Sequence, residues 1–351
     1  MNYRGLPSEN QSRKTPPLVI ITGMVPLYGH SWAQRLLTRQ IARSTISHAY
    51  LITGPGRVGR RSLAVWFIQA LYCENPPEPG VPCGECRPCQ QAARLQHPDI
   101  HPVTTEEGAA TIKIDQIRQL QRDLALVPYQ APYRIALLTN FEKATIGAQN
   151  ALLKTLEEAP SRVILLLTAD SPESVLPTIQ SRCEVLRLRP MPVDALTAAL
   201  TDSPKPVSEP AFLARIAGGR PGLALTLSQD SDQLALRKSW LDNLIQALHD
   251  DRIGRFKLAE QAAKDRANLR SGLELWSSFW RDVLLAKTGR LSALTNSDYA
   301  EEIQQTAAAL TLEEAAQLLE EAEESLRGLD LNLNARLLVE VLTLGWPFLP
   351  N

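Results

Sequence analysis

Apolar positions follow two regimes along this chain. Up to about Pro190, short apolar runs alternate with amphipathic stretches. Ala49–Thr53 (AYLIT), Tyr133–Leu138 (YRIALL), Val163–Thr168 (VILLLT) and Glu184–Leu188 read as strands. The segment from about Arg60 to Tyr72 reads as a helix. So does the stretch with Ile114, Ile117, Leu120 and Leu124 on one face, and Thr145 to Glu158, which Pro160 stops. Strands alternating with helices predict a mainly parallel sheet covered on both faces. Residues 191–230 form a small bridge with a loop at Ser203-Pro-Lys-Pro. No proline lies between Pro221 and Pro347, and that stretch is rich in Ala, Leu, Glu and Gln. Ala307, Leu310 and Leu312, then Ala316, Leu319 and Ala322, recur at helical spacing, so this part is expected to be all-helical, with Trp240, Trp276 and Trp280 packed between its helices.

Composition narrows the class. The chain has 351 residues, 44% hydrophobic and 21% charged, enough for two or three globular domains. The net charge of −1 draws no nucleic acid globally, so any DNA contact must use a local patch. No apolar run is long enough for a membrane span. Residues 1–23 read as a polar tail rather than a secretory leader, which points to the cytoplasm.

Two motifs carry candidate chemistry. Residues 54–62 read GPGRVGRRS and keep the phosphate-loop glycines, Gly54 and Gly59, at the expected spacing. Arg60 stands where the lysine belongs and Arg61 where the hydroxyl belongs. Arg60 brings charge, but a planar fork does not replace a compact ammonium, and Arg61 cannot ligate magnesium. Ser62 comes one residue late. The segment is either a nucleotide-binding scaffold stripped of its chemistry or a chance Gly-Pro-Gly turn. The second motif is Cys83-x-x-Cys86-x-x-Cys89, preceded by Cys73. Four thiolates make a closed, structural tetrahedral zinc site. The alternatives are three cysteines completed by His97 or His101, or unligated thiols. Cys183 is distant and not expected to be a ligand.

Several segments in order carry a resemblance. They are Gly29-His30 followed by a helical segment and HAYLITGPG, the four-cysteine insert (residues 73–89) with His97-Pro98-Asp99, Ile112–Arg118, NALLKTLEEAP from Asn150 to Pro160, and Ser181-Arg182-Cys183. Over about residues 24–230 the chain resembles the delta-prime subunits of bacterial DNA polymerase III clamp loaders, AAA+ proteins. The resemblance implies a RecA-like α/β AAA+ domain with a zinc insert over 24–190, a small helical lid over 191–230 and a helical collar over 231–351 that meets sibling collars. Met24–His30 resembles the usual family start.

The departures from the family pattern bear on activity. Where hydrolysing members place an Asp-Glu pair before the NALLKTLEE helix, this chain has Thr139 and Asn140. Neither is a carboxylate base. Glu142, two residues on, is expected to be a solvated acid. In GGRPGLAL, Leu223 or a neighbour stands where motor subunits present an arginine. ATP is therefore expected not to bind, or to bind weakly, and the chain is not expected to be catalytic alone. Arg182, in contrast, sits in an intact Ser-Arg-Cys. By resemblance it is an arginine finger supplied in trans; the plainer alternative is an arginine paired with a carboxylate of its own chain. Implied partners are the gamma/tau motor subunits, the delta subunit, the sliding clamp and primed DNA. The rival readings are an ATP-binding motor subunit, or a zinc-dependent DNA-binding protein with salt-sensitive affinity.

Overall fold

The computed structural model describes residues 27–106, 109–203, 207–265, 268–331 and 333–349. The tail at residues 1–23, the start at Met24-Val-Pro and the Pro204-Lys-Pro loop lie outside the described residues.

Helix α1 (Ser31–Ala42) leads into strand β1 (Ala49–Thr53), then α2 (Arg60–Tyr72), α3 (Arg87–Ala93), β2 (Ile100–Val103), α4 (Ile114–Leu124), β3 (Arg134–Leu138), α5 (Ile146–Glu157), β4 (Val163–Ala169), α6 (Pro177–Gln180) and β5 (Glu184–Arg187). The strands form one parallel sheet in the order β2-β3-β4-β1-β5. Strands β1, β3 and β4 are buried at every position, as a sheet covered on both faces requires. Successive residues divide between the two faces. Tyr50, Ile52, Ile164 and Leu166 pack with Leu63 and Phe67 of α2, whereas Ala49, Leu51, Leu165 and Leu167 pack with Leu120 of α4 and Leu152 of α5.

Strand β2 and helix α3 are additions to the sequence reading. β2 is four residues long, lies at the sheet edge and contains Pro102. An edge tolerates proline because one side of the strand makes no ladder bonds. Just before β2, the fully buried Asp99 accepts the backbone N–H groups of Tyr129, Gln130 and Ala131 at 2.6, 2.8 and 2.9 Å. It thereby pins the loop entering β3.

Helices α7 (Val193–Thr201), α8 (Pro210–Ile216) and α9 (Pro221–Gln229) enclose a separate small core of Leu196, Leu200, Leu213 and Leu227. The rest is helical: α10 (Ser231–His249), α11 (Arg252–Lys264), α12 (Leu269–Lys287), α13 (Ala300–Ala309), α14 (Leu312–Asp330) and α15 (Ala335–Gly345). Trp276 is the hub of this core, with ring centroids 5.0 Å from both Trp240 and Trp346. Its indole N–H donates to the Trp240 carbonyl at 2.9 Å. On α14 Ala315, Leu318 and Ala322 are buried and Leu319 packs against them, so Leu319 and Ala322 lie on the core side as expected, whereas Leu312 and Ala316 are exposed. Thr311 caps the helix, which places Leu312 in the first turn, ahead of the packed face.

Candidate functional site: a closed phosphate loop and a four-cysteine knuckle

The loop between β1 and α2 is built on unusual backbone. Gly54 has φ +147°, and a Cβ there would stand 2.5 Å from the Leu188 carbonyl oxygen; Gly59, the N-cap of α2, has φ +116°. Glycine is the residue that reaches both conformations without strain. His30 supports the loop from below, with Nε2 3.0 Å from the Val58 carbonyl oxygen. Burial lowers the pKa of His30, against the pull of that hydrogen bond.

Two arginines, Arg60 and Arg61, occupy the first turn of α2, where the helix dipole already concentrates positive charge. A nucleotide loop answers this field with phosphates. Here the answer comes from within: Arg60 is buried and ion-pairs with Asp170, just past the end of β4, at 2.7 Å. Arg61 remains exposed. The cleft beside them measures about 500 Å³ and is lined by Arg57, Arg60, Arg61, Thr139, Asn140, Thr168 and Gly222, among others. The sheet thus brings Gly54, Gly59, Arg60, Arg61, Thr139 and Asn140 to one place, at the C-terminal ends of the strands.

The opposite wall is α9. The Gly222 N–H donates to the Arg57 carbonyl at 3.0 Å, and Arg57 Nη1 donates to Thr226 Oγ1 at 2.6 Å. Arg57 itself holds φ +63°. The α9 residue that faces the loop is therefore Gly222, whereas Leu223 packs against the small core of α7–α9.

Glu142 departs from its expected solvated state. It is half-buried, and its Oε2 is enclosed without a hydrogen-bond partner. Burial and then the charge of Asp170 raise its pKa, opposed by its own backbone N–H, Arg60 and Lys143. It belongs to the electrostatic surroundings of the Arg60–Asp170 pair. The backbone N–H of Asn140 donates to Thr168 Oγ1 at 2.9 Å, which fixes the turn that follows β3.

Arg182 lies elsewhere. It precedes β5, whose first residue Glu184 pairs with Tyr50 near the start of β1. Gly54 is four residues further along β1, roughly 13 Å at strand rise. Arg182 thus sits at the N-terminal edge of the sheet, with its guanidinium bound to Glu157 at 2.6 Å.

The cysteines converge. The Sγ atoms of Cys73, Cys83, Cys86 and Cys89 all lie within 4.8 Å of one another. Tetrahedral zinc thiolate bonds of about 2.3 Å imply sulfurs about 3.8 Å apart, and Cys83 and Cys89 are 4.0 Å apart. Backbone N–H groups already point at sulfur, from Cys83 to Cys73 and from Cys86 to Cys83. Gly84, at φ +76°, turns the knuckle. This set could hold a metal ion, and four sulfurs suit zinc. Burial raises the thiol pKa values of Cys73 and Cys89. At Cys83 burial is outweighed by the N–H groups of Cys86 and Glu85, which bring it down to about 7. Neither histidine joins the cluster: His97 lies against Asp99, and His101 against Asp123 and Arg134. Cys183 stands apart, its thiol pushed up to about 12 by burial.

A family model described as "DNA polymerase III, delta subunit" matches residues 29–192, and one for the C-terminal part of that subunit matches 231–347. The chain belongs to the delta-prime family of bacterial DNA polymerase III subunits. The first of these matches covers the whole parallel-sheet domain. The DNA polymerase III subunit delta' of Pseudomonas aeruginosa is 36% identical over 197 residues, covering 55% of this chain and 59% of that protein. The delta' of Bacillus subtilis is 27% identical over 315 residues, covering 88% and 94%. The subunit tau of the same organism is 28% identical over 285 residues, covering 74% and 49%. The match thus spans about three fifths of the Pseudomonas relative and nearly all of the Bacillus one. Among the described residues no helix is long and apolar enough to cross a membrane.

Sequence reasoning missed Asp170, Gly222, Arg57 and Thr226. Asp170 carried a usable signal, an acid directly after a buried strand on the phosphate-loop side. The other three are joined only by the docking of α9 on the loop.

Proposed function

We propose that this chain is a non-hydrolysing subunit of the DNA polymerase III clamp loader, acting in the cytoplasm in the loading of the sliding clamp onto primed DNA. Its neighbours are gamma/tau motor subunits and a delta subunit. Residues 24–190, 191–230 and 231–351 act as AAA+ domain, lid and collar, and zinc has a structural role in the insert. Arg182 is the finger lent to the ATP site of an adjacent motor subunit, where a guanidinium neutralises charge developing on the γ-phosphate.

The observation that carries this reading is the separation of two features on one sheet. The loop end holds an internal Arg60–Asp170 pair and no carboxylate at Thr139 or Asn140, while Arg182 lies at the other end of the strands, half-exposed and out of reach of its own loop. An arginine so placed is out of reach of its own chain's loop, which supports a role at a nucleotide held by another chain. The test is a reconstituted complex carrying Arg182→Ala. ATP turnover should fall about a thousandfold at the neighbouring site with assembly intact. Wild-type turnover in that complex refutes the finger assignment.

A further inference from the structure

Three oxygens of its own chain hold Arg182. Nη2 donates to Glu157 Oε1 at 2.6 Å, and Nη1 donates to the Thr178 carbonyl at 3.0 Å and to Ser181 Oγ at 3.3 Å. A guanidinium has five N–H donors. Three are engaged, which leaves Nε–H and one Nη2–H for an acceptor from outside. The side chain is 35% exposed and Glu157 51%, so the pair lies open at the surface.

Stability does not account for the carboxylate at this position. Glu157 is the last residue of α5 and Glu158 is its C-cap, so two acids stand at the helix end whose dipole disfavours negative charge. An ion pair this exposed adds little to the fold. What the contact does achieve is order. Arginine has many rotamers, and fixing it only when it meets a ligand subtracts from that encounter. A guanidinium already fixed at three points presents its remaining donors in one orientation, and catalysis depends steeply on such placement.

We infer that Glu157 is a positioning residue for Arg182, holding the guanidinium in the attitude in which it meets a phosphate bound by a neighbouring chain. This rests on the finger reading of Arg182.

The experiment uses the complete reconstituted complex with Glu157→Ala, Glu157→Gln, Arg182→Ala and the Glu157→Ala/Arg182→Ala double variant. ATP turnover is measured with primed DNA and clamp, and kcat and KM are separated. Glu157→Ala should lower kcat about tenfold at unchanged KM, the pattern of an interaction lost only in the transition state. Glu157→Gln, which keeps an oxygen acceptor, should recover most of the loss. In the Arg182→Ala background Glu157→Ala should add nothing, because the two act as one unit. Unchanged turnover in Glu157→Ala overturns the inference. So does increased turnover, which would make Glu157 a sequestering group, or a loss that persists without Arg182. A silent Arg182→Ala removes the finger reading and this inference with it. A strong Arg182→Ala loss beside a silent Glu157→Ala removes the inference alone.

Discussion

The backbone N–H of Gly222, in the first turn of α9, donates to the carbonyl oxygen of Arg57 in the phosphate loop at 3.0 Å. Loop and helix meet there without anything between them. A Cβ on residue 222 would stand 2.7 Å from that same carbonyl oxygen. Glycine is thus required by the approach of two backbones rather than by an unusual φ. Gly222→Ala should destabilise the chain by about 1–3 kcal/mol despite alanine's better helix propensity, since the clash is with backbone. Urea unfolding measures the loss, and hydrogen exchange should show faster exchange at the start of α9. Unaltered stability and protection would refute the close contact.

The Arg60–Asp170 pair makes a second prediction. Calorimetric titration with magnesium-ATP should show no binding at millimolar nucleotide, because the cation in the loop already has its anion. Asp170→Ala removes that anion and leaves Arg60 and Arg61 at a helix N-terminus, an anion-attracting arrangement. Inorganic phosphate or ATP should then bind measurably. Micromolar binding by the wild-type chain would mean that Arg60 exchanges partners freely.

Asp99 links folding to pH. Burial raises its pKa, but the N–H donors of Tyr129, Ala131 and Gln130, and then His97, outweigh it and leave the carboxyl below its ordinary 3.8. A depressed carboxylate contributes stability that is full above the unfolded value and is lost as pH falls through the folded one. Asp99→Asn should cost about 1–3 kcal/mol at neutral pH, and the gap to wild type should narrow below about pH 4. A gap independent of pH would show that shape rather than charge holds the loop at residues 129–131.

The cysteine cluster predicts one zinc per chain by elemental analysis. Cys83→Ser or Cys89→Ser should abolish it, and Cys183→Ser should leave it unchanged. Because burial raises the thiols of Cys73 and Cys89, loading must displace protons and should weaken as pH falls. Metal removal should unsettle α3, whose N-cap is Cys86 and whose interior holds Cys89. Full zinc content in Cys83→Ser would point to a different ligand set.

The amino-acid sequence by itself determined the strands and the main helices of the sheet domain, because burial on two faces writes itself as unbroken apolar runs such as Leu165-Leu166-Leu167. It also named the four candidate thiolates by their spacing, and the positions Arg60, Arg61, Thr139 and Asn140 where residue identity departs from the hydrolysing pattern. The four residues of β2 carried no signal, since His101 and Pro102 interrupt any apolar pattern. On α14 Leu319 and Ala322 fell on the core side as read but Ala316 did not, because Ala and Leu recur there on more than one stripe and only packing chooses among them. Only the tertiary structure decided the partners of charge and backbone. It joined Arg60 to Asp170 across 110 residues, Gly222 of α9 to Arg57 of the loop, and Arg182 to Glu157 at the far end of the strands. Such pairs depend on the docking of whole elements, and local periodicity holds no record of where a neighbouring element comes to rest.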